Sequence, residues 1–456
     1  MSMRTIPAEL LHHCAEYLDV ATLKNFRLAS RATSVIGVEY LFHTVVLNFN
    51  AESTERFGNV LESVTLRPLV KKIIINGAEG NCEKEWDENY NQIDTPWSLA
   101  IPKIAQLPSV CEVEMKFDDE CDFDEDDYGG YKQSYDYRVY YQKLFFAAVA
   151  ESQNVDSLTI DGLQDRATDN FGSEETCAKV LGKTKKLALM IVSGSTEPSG
   201  QPDYSSLRSC ISWRVPLFWL EPTQTHLTHL TLSVDDEWGV LPFMDVQTIH
   251  FPNLKSLALG NYTVAHEMQV NWILRHGATL EELTLSNCAI IYAFYNFANY
   301  DFWEDFVELR LIDLRWSDVF AMFKEKLQKL KHFRMANEPS RPTDYMISIQ
   351  HRLPAMIQTE RYKGYKDGGC PTPWMNDISA WADDYPELEG ITPPGDEQDA
   401  KDQEALDMLL REIGKSEREI ERMKILELRW VEGRGDNYYE REEREGDVDY
   451  EEEEVE

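Results

Sequence analysis

One pattern of apolar and polar positions recurs along most of the chain. In LEELTL, residues 280–285, apolar side chains occupy the first, fourth and sixth positions. Successive side chains of a strand point to opposite faces, so this spacing predicts a short strand with one apolar face. Complete or looser copies of the pattern begin at residues 42, 70, 110, 155, 184, 227, 254, 280, 309 and 330.

The spacing of these copies indicates a repeat architecture. Successive copies start 21 to 45 residues apart, and the three longest steps contain loop-like insertions. A single short strand cannot bury its apolar face, so neighbouring units must stack. The pattern resembles the leucine-rich-repeat family, and the copy at 280 also has that family's next template positions, Cys288 and Ile290. The resemblance implies an irregular α/β leucine-rich-repeat solenoid over residues 46–340; the alternative is chance spacing in an ordinary sheet.

The residues before the first copy follow a helical period. The first predicted helix carries its apolar residues three to four positions apart: Leu10, Leu11, Cys14, Ala15 and Leu18. Pro7 suits the first position of that helix, and Asp19 and Ser30 can cap a second and a third helix. Three short helices make a small core, so this module needs a partner or the repeats for stability.

This order of features resembles the F-box, the adaptor-binding module of cullin-RING ubiquitin ligases. Residues 6–11, IPAELL, match the opening of the family motif, and residues 17–19, YLD, match its turn. The resemblance places an F-box at residues 5–45; the alternative is an anonymous helical cap on the repeats. It implies that a Skp-type adaptor contacts an exposed apolar patch formed by Ile6, Pro7, Leu10, Leu11, Leu18, Leu23 and Leu28.

The net charge and the search for metal-binding and catalytic motifs disfavour several classes of function. The formal net charge of −36 disfavours nucleic acid and anionic membranes as partners. No two of the eight cysteines have the CxxC spacing of a zinc or redox site, and no apolar run is long enough to span a membrane. Residues 182–184, GKT, lack the preceding Gly of a phosphate-binding loop, and no nucleophile–base pair is evident. We therefore expect no metal, no cofactor and no catalytic residue, with a hydrolase as the enzyme alternative.

The character of the chain changes after about residue 340. Residues 341–396 are expected to be irregular, 397–431 to form an amphipathic helix, and 432–456 to form a disordered acidic tail. The apolar residues of the predicted helix follow near-heptad steps: Leu406, Leu409, Ile413, Ile420, Met423 and Trp430. Interruptions at Gly414, Ser416 and Glu427 favour a helix that folds back on the protein over a dimerising coiled coil.

Taken together, the two resemblances imply a non-catalytic substrate-recognition subunit of an SCF-type (Skp–cullin–F-box) E3 ubiquitin ligase. The protein would be intracellular, in the cytoplasm, the nucleus or both, and its repeats would bind an unidentified protein target. The alternative is a leucine-rich-repeat interaction scaffold that acts outside a ubiquitin ligase. Residues between the template positions should face the open side of the sheet, and charged and aromatic groups gather in the late copies. We therefore predict target contacts at Glu282, Asp313, Arg315, Trp316 and Arg334.

Overall fold

A computed structural model describes most of the chain. The described residues are 6–78, 95–118, 133, 135–165, 174–193, 204–296, 308–336, 361–366, 374–375, 377–421 and 423. They form an α/β fold built on a mostly parallel β-sheet with helices between the strands. No helix in these ranges is both long enough and apolar enough to cross a membrane.

Three short helices precede the sheet: α1 Ala8–Glu16, α2 Val20–Phe26 and α3 Arg31–Leu41. The predicted caps are confirmed, because the Asp19 side chain accepts the Thr22 N–H and the Ser30 side chain accepts the Thr33 N–H. Pro7 immediately precedes the first helix. The three helices share a small apolar cluster that is separate from the main core: Leu11, Ala15, Leu23 and Ile36.

The recurring pattern forms consecutive parallel strands, as the sequence predicts. They are β1 Thr44–Asn48, β2 Lys72–Asn76, β3 Glu112–Lys116, β4 Ser157–Gln164, β5 Lys186–Val192, β6 His229–Trp238, β7 Ser256–Val264 and β8 Glu282–Ser286. Each of these strands pairs in parallel with the next one along the chain. Strands that neighbour in sequence therefore also neighbour in space, and one apolar face runs across them all.

The sheet divides after β7. Strand β9, Ala289–Asn296, pairs with the far end of β7, and β10, Glu308–Leu311, pairs with β9 in the antiparallel direction. Strand β11, His332–Ala336, returns to β8 in parallel. The prediction of a parallel strand from the copy at 309 is therefore wrong. Only residues 297–307 connect β9 to β10, and a parallel pair needs a crossover of about a dozen residues or more.

Helices between the strands cover the apolar face. They are α4 Ala51–Glu62, α5 Pro96–Ala100, α6 Tyr135–Glu151, α7 Glu174–Leu181, α8 Tyr204–Ser209, α9 Glu267–Leu274 and α10 Trp316–Lys326. A π-helical stretch, Cys210–Leu220, follows α8. Strand residues such as Leu232 and Leu285 share one continuous core with helix residues such as Phe146, Trp219 and Trp272. Burying this apolar surface is the main stabilising term for such a fold.

The carboxyl-terminal region packs against the end of the sheet. Residues 341–396, expected to be irregular, contribute β12 Tyr362–Lys366 and β13 Trp374–Met375, and β12 pairs in parallel with β9. Helix α11, Asp396–Glu412, lies on α10 with its apolar residues in the core, so it folds back as predicted. The predicted helix over 397–431 is interrupted rather than continuous: α11 ends at Glu412, Gly414 adopts a φ of 89°, and the chain becomes helical again at Glu417, with Ile420 in the core. Residues 424–431 of this prediction lie outside the described residues. The predicted acidic tail, 432–456, lies outside the described residues.

Candidate protein-interaction surfaces

The amino-terminal helices carry an unusual amount of exposed apolar surface. Of the thirteen large apolar side chains that are exposed in the described ranges, six lie on this one small module: Ile6, Leu10, Tyr17, Val20, Leu28 and Val35. The exposed fraction is 54% for Leu10 and 76% for Leu28. Contiguous exposed apolar side chains on a small module are typical of a protein–protein contact surface.

The predicted adaptor-binding residues divide into an exposed group and a buried group. Ile6, Pro7, Leu10 and Leu28 are exposed, and Leu18 is partly buried. The expectation of an exposed patch is wrong for Leu11 and Leu23, which are only 4% and 5% exposed. These two leucines form the core of the module, and adjacent helical residues such as Leu10 and Leu11 point about 100° apart.

One stripe of the first helix faces outward along its whole length. Pro7, Leu10, Cys14 and Tyr17 are spaced three, four and three residues apart, and all four are exposed. Residues at this spacing lie on one face of a helix. The parallel stripe of Leu11, Ala15 and Leu18 turns toward α2 and α3. The exposed stripe can therefore contact a partner without disturbing the packing inside the module.

The open face of the sheet is the second candidate surface. Its residues stand between the buried template positions and fall into rows across strands in register. One such row consists of Ala188, Thr231, Ala258, Thr284 and Arg334. On the early strands, the charges of this face pair across the sheet: Lys72 with Glu114 at 2.7 Å, Lys116 with Asp161 at 3.4 Å and Lys186 with Glu112 at 3.9 Å.

Two of the predicted target-binding residues meet on this face. Glu282 lies on β8 beside His332, and Arg334 lies beside Thr284 on the same pair of strands. Glu282 is also close enough to act electrostatically on Arg334. The late end of the open face therefore carries one carboxylate and one half-buried guanidinium.

The remaining predicted target residues lie elsewhere. Asp313 is exposed and lines a shallow cavity of about 630 Å³ beside α9 and α10. Arg315 directly precedes α10, and its guanidinium donates to the carbonyls of Ile312 and Leu314 at 2.6 and 2.8 Å. Trp316 is 2% exposed, and its indole N–H donates to the Arg361 carbonyl. The prediction of a shared surface for these three with Arg334 is wrong, because their copy of the pattern does not join the parallel sheet.

A carboxylate group that the sequence reasoning missed lies at the end of β6. The backbone N–H and the hydroxyl of Ser193 donate to the Asp235 carboxylate at 2.9 and 2.8 Å. Lys363 of β12 pairs with Glu237. Desolvation raises the pKa of Asp235 and Asp236 to about 6, although Asp235 keeps an accessible edge. The polar run DDE, residues 235–237, directly follows the apolar part of β6 in the sequence and is the signal that could have identified this group.

Comparison with known proteins adds no identification. No family model matches the chain, and no curated protein is significantly similar to it. Across the described ranges, no three His, Cys, Asp or Glu side chains are placed to hold a metal ion together. Functional assignment therefore depends on the two surfaces and on the residues that form them.

Proposed function

We propose that the protein is a non-catalytic substrate-recognition subunit of an SCF-type E3 ubiquitin ligase. The observation that carries this proposal is the exposed apolar stripe on the amino-terminal helices, together with the F-box-like motif in the same residues. The stripe would bind a Skp-type adaptor, and through it the cullin-RING ligase. The open face of the sheet would hold the protein target near the ubiquitin-conjugating enzyme that carries the activated ubiquitin.

The energetics of the helical module support an obligatory partner. Its own core consists of four fully buried apolar side chains, which is little for about 36 residues. Covering an exposed leucine stabilises a complex by roughly 1.5–3 kcal/mol. Leu10 and Leu28 together can therefore supply a large share of the free energy of binding to an adaptor.

The sheet supports target binding for a different reason. The open face is polar, and its central row carries nothing larger than Thr from β5 to β8. On this face Thr231 and Ala258 are buried, whereas Glu282 and Thr284 on β8 are partly exposed, so the late end of the face is the part that a partner chain can reach. Because adaptor and target would use separate parts of the molecule, the protein can hold both at once.

Affinity purification of the tagged full-length chain, followed by mass spectrometry, tests this proposal. We expect the adaptor and a cullin to co-purify in near-stoichiometric amounts. A tagged Leu10→Asp variant should lose both while it keeps proteins bound to the sheet. Recovery of sheet-bound partners without adaptor or cullin from the wild-type chain would contradict the ligase proposal and would favour an interaction scaffold of the same architecture.

A further inference from the structure

The charges on the open sheet face are distributed unevenly. From β2 to β5, Lys72 and Lys116 each have a carboxylate partner on the neighbouring strand, at 2.7 and 3.4 Å, and Lys186 of β5 lies 3.9 Å from Glu112 of β3, two strands away. Such pairs neutralise their own surface and leave little charge for a ligand. At the other end of the face, Arg334 of β11 has no comparable partner among the described residues.

Arg334 combines partial burial with the lack of a partner among the described residues. Its side chain is half-buried, yet it makes no hydrogen bond and no ion pair with any described residue. None of its nitrogens is fully enclosed, so its donors remain accessible from the open face. Desolvation lowers the pKa of Arg334, and the nearby Glu282 only partly offsets this effect. A guanidinium has five N–H donors, and leaving them without partners in a partly desolvated position is unfavourable.

His332 is close enough to both Arg334 and Lys415 for their charges to act on it, and burial together with these charges lowers its pKa, so it is neutral at pH 7. His332 precedes Arg334 on the same face of β11, and Lys415 lies just after α11. Lys331 is not available, because it pairs with Glu281 at 2.5 Å. Glu282 is the carboxylate that acts on both His332 and Arg334. At neutral pH the cations of Arg334 and Lys415 therefore outnumber this acid.

The positions in register with Arg334 carry small side chains. Ala188, Thr231, Ala258 and Thr284 occupy the corresponding positions on the four preceding strands. Thr284, which is next to Arg334, is partly exposed, whereas Ala258 and Thr231 beyond it are only 2% and 6% exposed, so Thr284 is the accessible neighbour of Arg334 in this row.

We infer that Arg334, together with Lys415 and His332, forms a subsite for a compact anionic group on a partner protein, either a phosphate monoester or a carboxylate. A planar guanidinium binds such groups through two parallel, charge-assisted hydrogen bonds. The net charge of −36 disfavours an extended acidic partner, but charges farther than about 8 Å are largely screened at physiological salt. One compact anion is therefore favoured over a long acidic segment.

Fluorescence anisotropy with labelled pentapeptides tests this inference on the full-length chain. The peptides share the sequence Gly-Gly-X-Gly-Gly, with phosphoserine, glutamate or serine at X, and inorganic phosphate serves as the competitor. We expect the phosphoserine or the glutamate peptide, or both, to bind at least tenfold more tightly than the serine peptide. The comparison between the two anionic peptides distinguishes phosphate from carboxylate recognition.

Two matched arginine variants locate the binding. Arg334→Gln should weaken binding of the anionic peptide at least tenfold, whereas Arg56→Gln, which changes an exposed arginine on α4, should leave it unchanged. Circular dichroism must show that both variants remain folded. Equal affinity of the two variants, or equal affinity of all three peptides, would overturn the subsite.

The identification of the partner as a ligase target rests on the proposed function, whereas the subsite does not. If the wild-type chain binds the anionic peptide but does not bind the adaptor, only the ligase proposal is contradicted. If the wild-type chain binds the adaptor but binds all three peptides equally well, only the subsite is contradicted.

Discussion

The side chain of Asp236, near the end of β6, is partly buried. One of its carboxylate oxygens accepts the Glu237 N–H, and the other is buried without a hydrogen bond from the described residues. Desolvation raises its pKa from 3.8 to about 6, and the nearby Lys363 acts in the opposite direction. The folded protein therefore binds this proton more tightly than the unfolded chain does.

This pKa predicts a pH-dependent effect of Asp236→Asn. The contribution of the Asp236 carboxyl to stability is fully present below its unfolded pKa of 3.8 and is lost as the pH rises through about 6. The Asn variant cannot titrate, so its free energy of unfolding relative to wild type should rise between pH 4 and pH 7, by on the order of 2 kcal/mol. Urea denaturation at both pH values measures this difference, and a pH-independent difference would refute the assignment.

Short-range sequence rules predicted the structural roles of some residues and missed those of others. The capping roles of Asp19 and Ser30 follow from short-range hydrogen bonding, so the sequence was sufficient. The different burial of Leu10 and Leu11 depends on where α2 and α3 pack, which the helical period alone does not determine. The role of Arg315 at the start of α10 likewise depends on a turn that the repeat pattern concealed.

A buried polar network attaches α11 to the sheet. The Asp402 carboxylate is inaccessible to solvent and accepts hydrogen bonds from the Arg361 guanidinium at 3.1 Å, the Tyr362 hydroxyl at 2.8 Å and the Ser317 N–H at 2.9 Å. These partners come from β12, its amino-terminal flank and α10. One residue of α11 therefore fixes the helix to two other elements at the end of the sheet.

Replacing Asp402 should consequently release this helix. Asp402→Ala removes the buried carboxylate partner of Arg361 and leaves only the half-exposed Asp399 to pair with it, so the cost should approach the roughly 3–5 kcal/mol of a broken buried ion pair without exceeding it. We expect a large fall in melting temperature and faster amide exchange in residues 396–412. Glu397→Ala on the same helix is the control, because its ion pair with Lys401 is exposed and should contribute nothing measurable. Similar melting temperatures for the two variants would show that the network does not hold the helix.

Among the secondary-structure elements, the sequence predicted the parallel strands β1 to β8 but missed β9 and β12 and the antiparallel direction of β10. Each of β1 to β8 starts two residues after its copy of the pattern begins, because apolar alternation determines both the strand and its buried face. The hairpin of β9 and β10 was missed, since AIIYAFY, residues 289–295, has no alternation to mark it as a separate strand. Strand β12 was missed because YKGYK, residues 362–366, has too few apolar residues to be distinguished from a loop.

Charge is the dominant feature of the molecule as a whole. Half of the net charge of −36 belongs to residues 383–456, which have 28 acidic and 10 basic residues. Like charges at this density repel one another and oppose compaction, and salt screens the repulsion. The effect of the carboxyl-terminal residues on folding should therefore depend on ionic strength.

Deletion of residues 432–456 tests this view. The deleted segment contains 13 acidic and 3 basic residues, so its removal mainly reduces repulsion. We expect a melting temperature that is unchanged or slightly higher at about 20 mM salt, with the difference from wild type vanishing at about 500 mM. Differential scanning calorimetry measures both values, and a large fall in melting temperature would show that these residues contribute to packing.

The central claim is that the exposed apolar side chains of the amino-terminal module, Leu10 and Leu28 among them, bind a Skp-type adaptor. Two pairs of apolar positions allow a matched comparison. Leu10 and Leu28 of the module are 54% and 76% exposed. Leu99 and Val64, outside the module, are 53% and 80% exposed. Replacing either pair with Asp changes the charge equally, removes apolar side chains of similar exposure, and leaves the buried Leu11 and Leu23 in place.

Isothermal titration calorimetry of the purified full-length chain with the purified adaptor provides the measurement. We predict a one-to-one complex for the wild-type chain and for the Leu99→Asp, Val64→Asp variant. The Leu10→Asp, Leu28→Asp variant should bind at least a hundredfold more weakly, since covering these partly exposed leucines contributes about 2–4 kcal/mol and burying an Asp adds a desolvation cost. Failure of the wild-type chain to bind the adaptor, or equal affinities of the two double variants, would contradict the account.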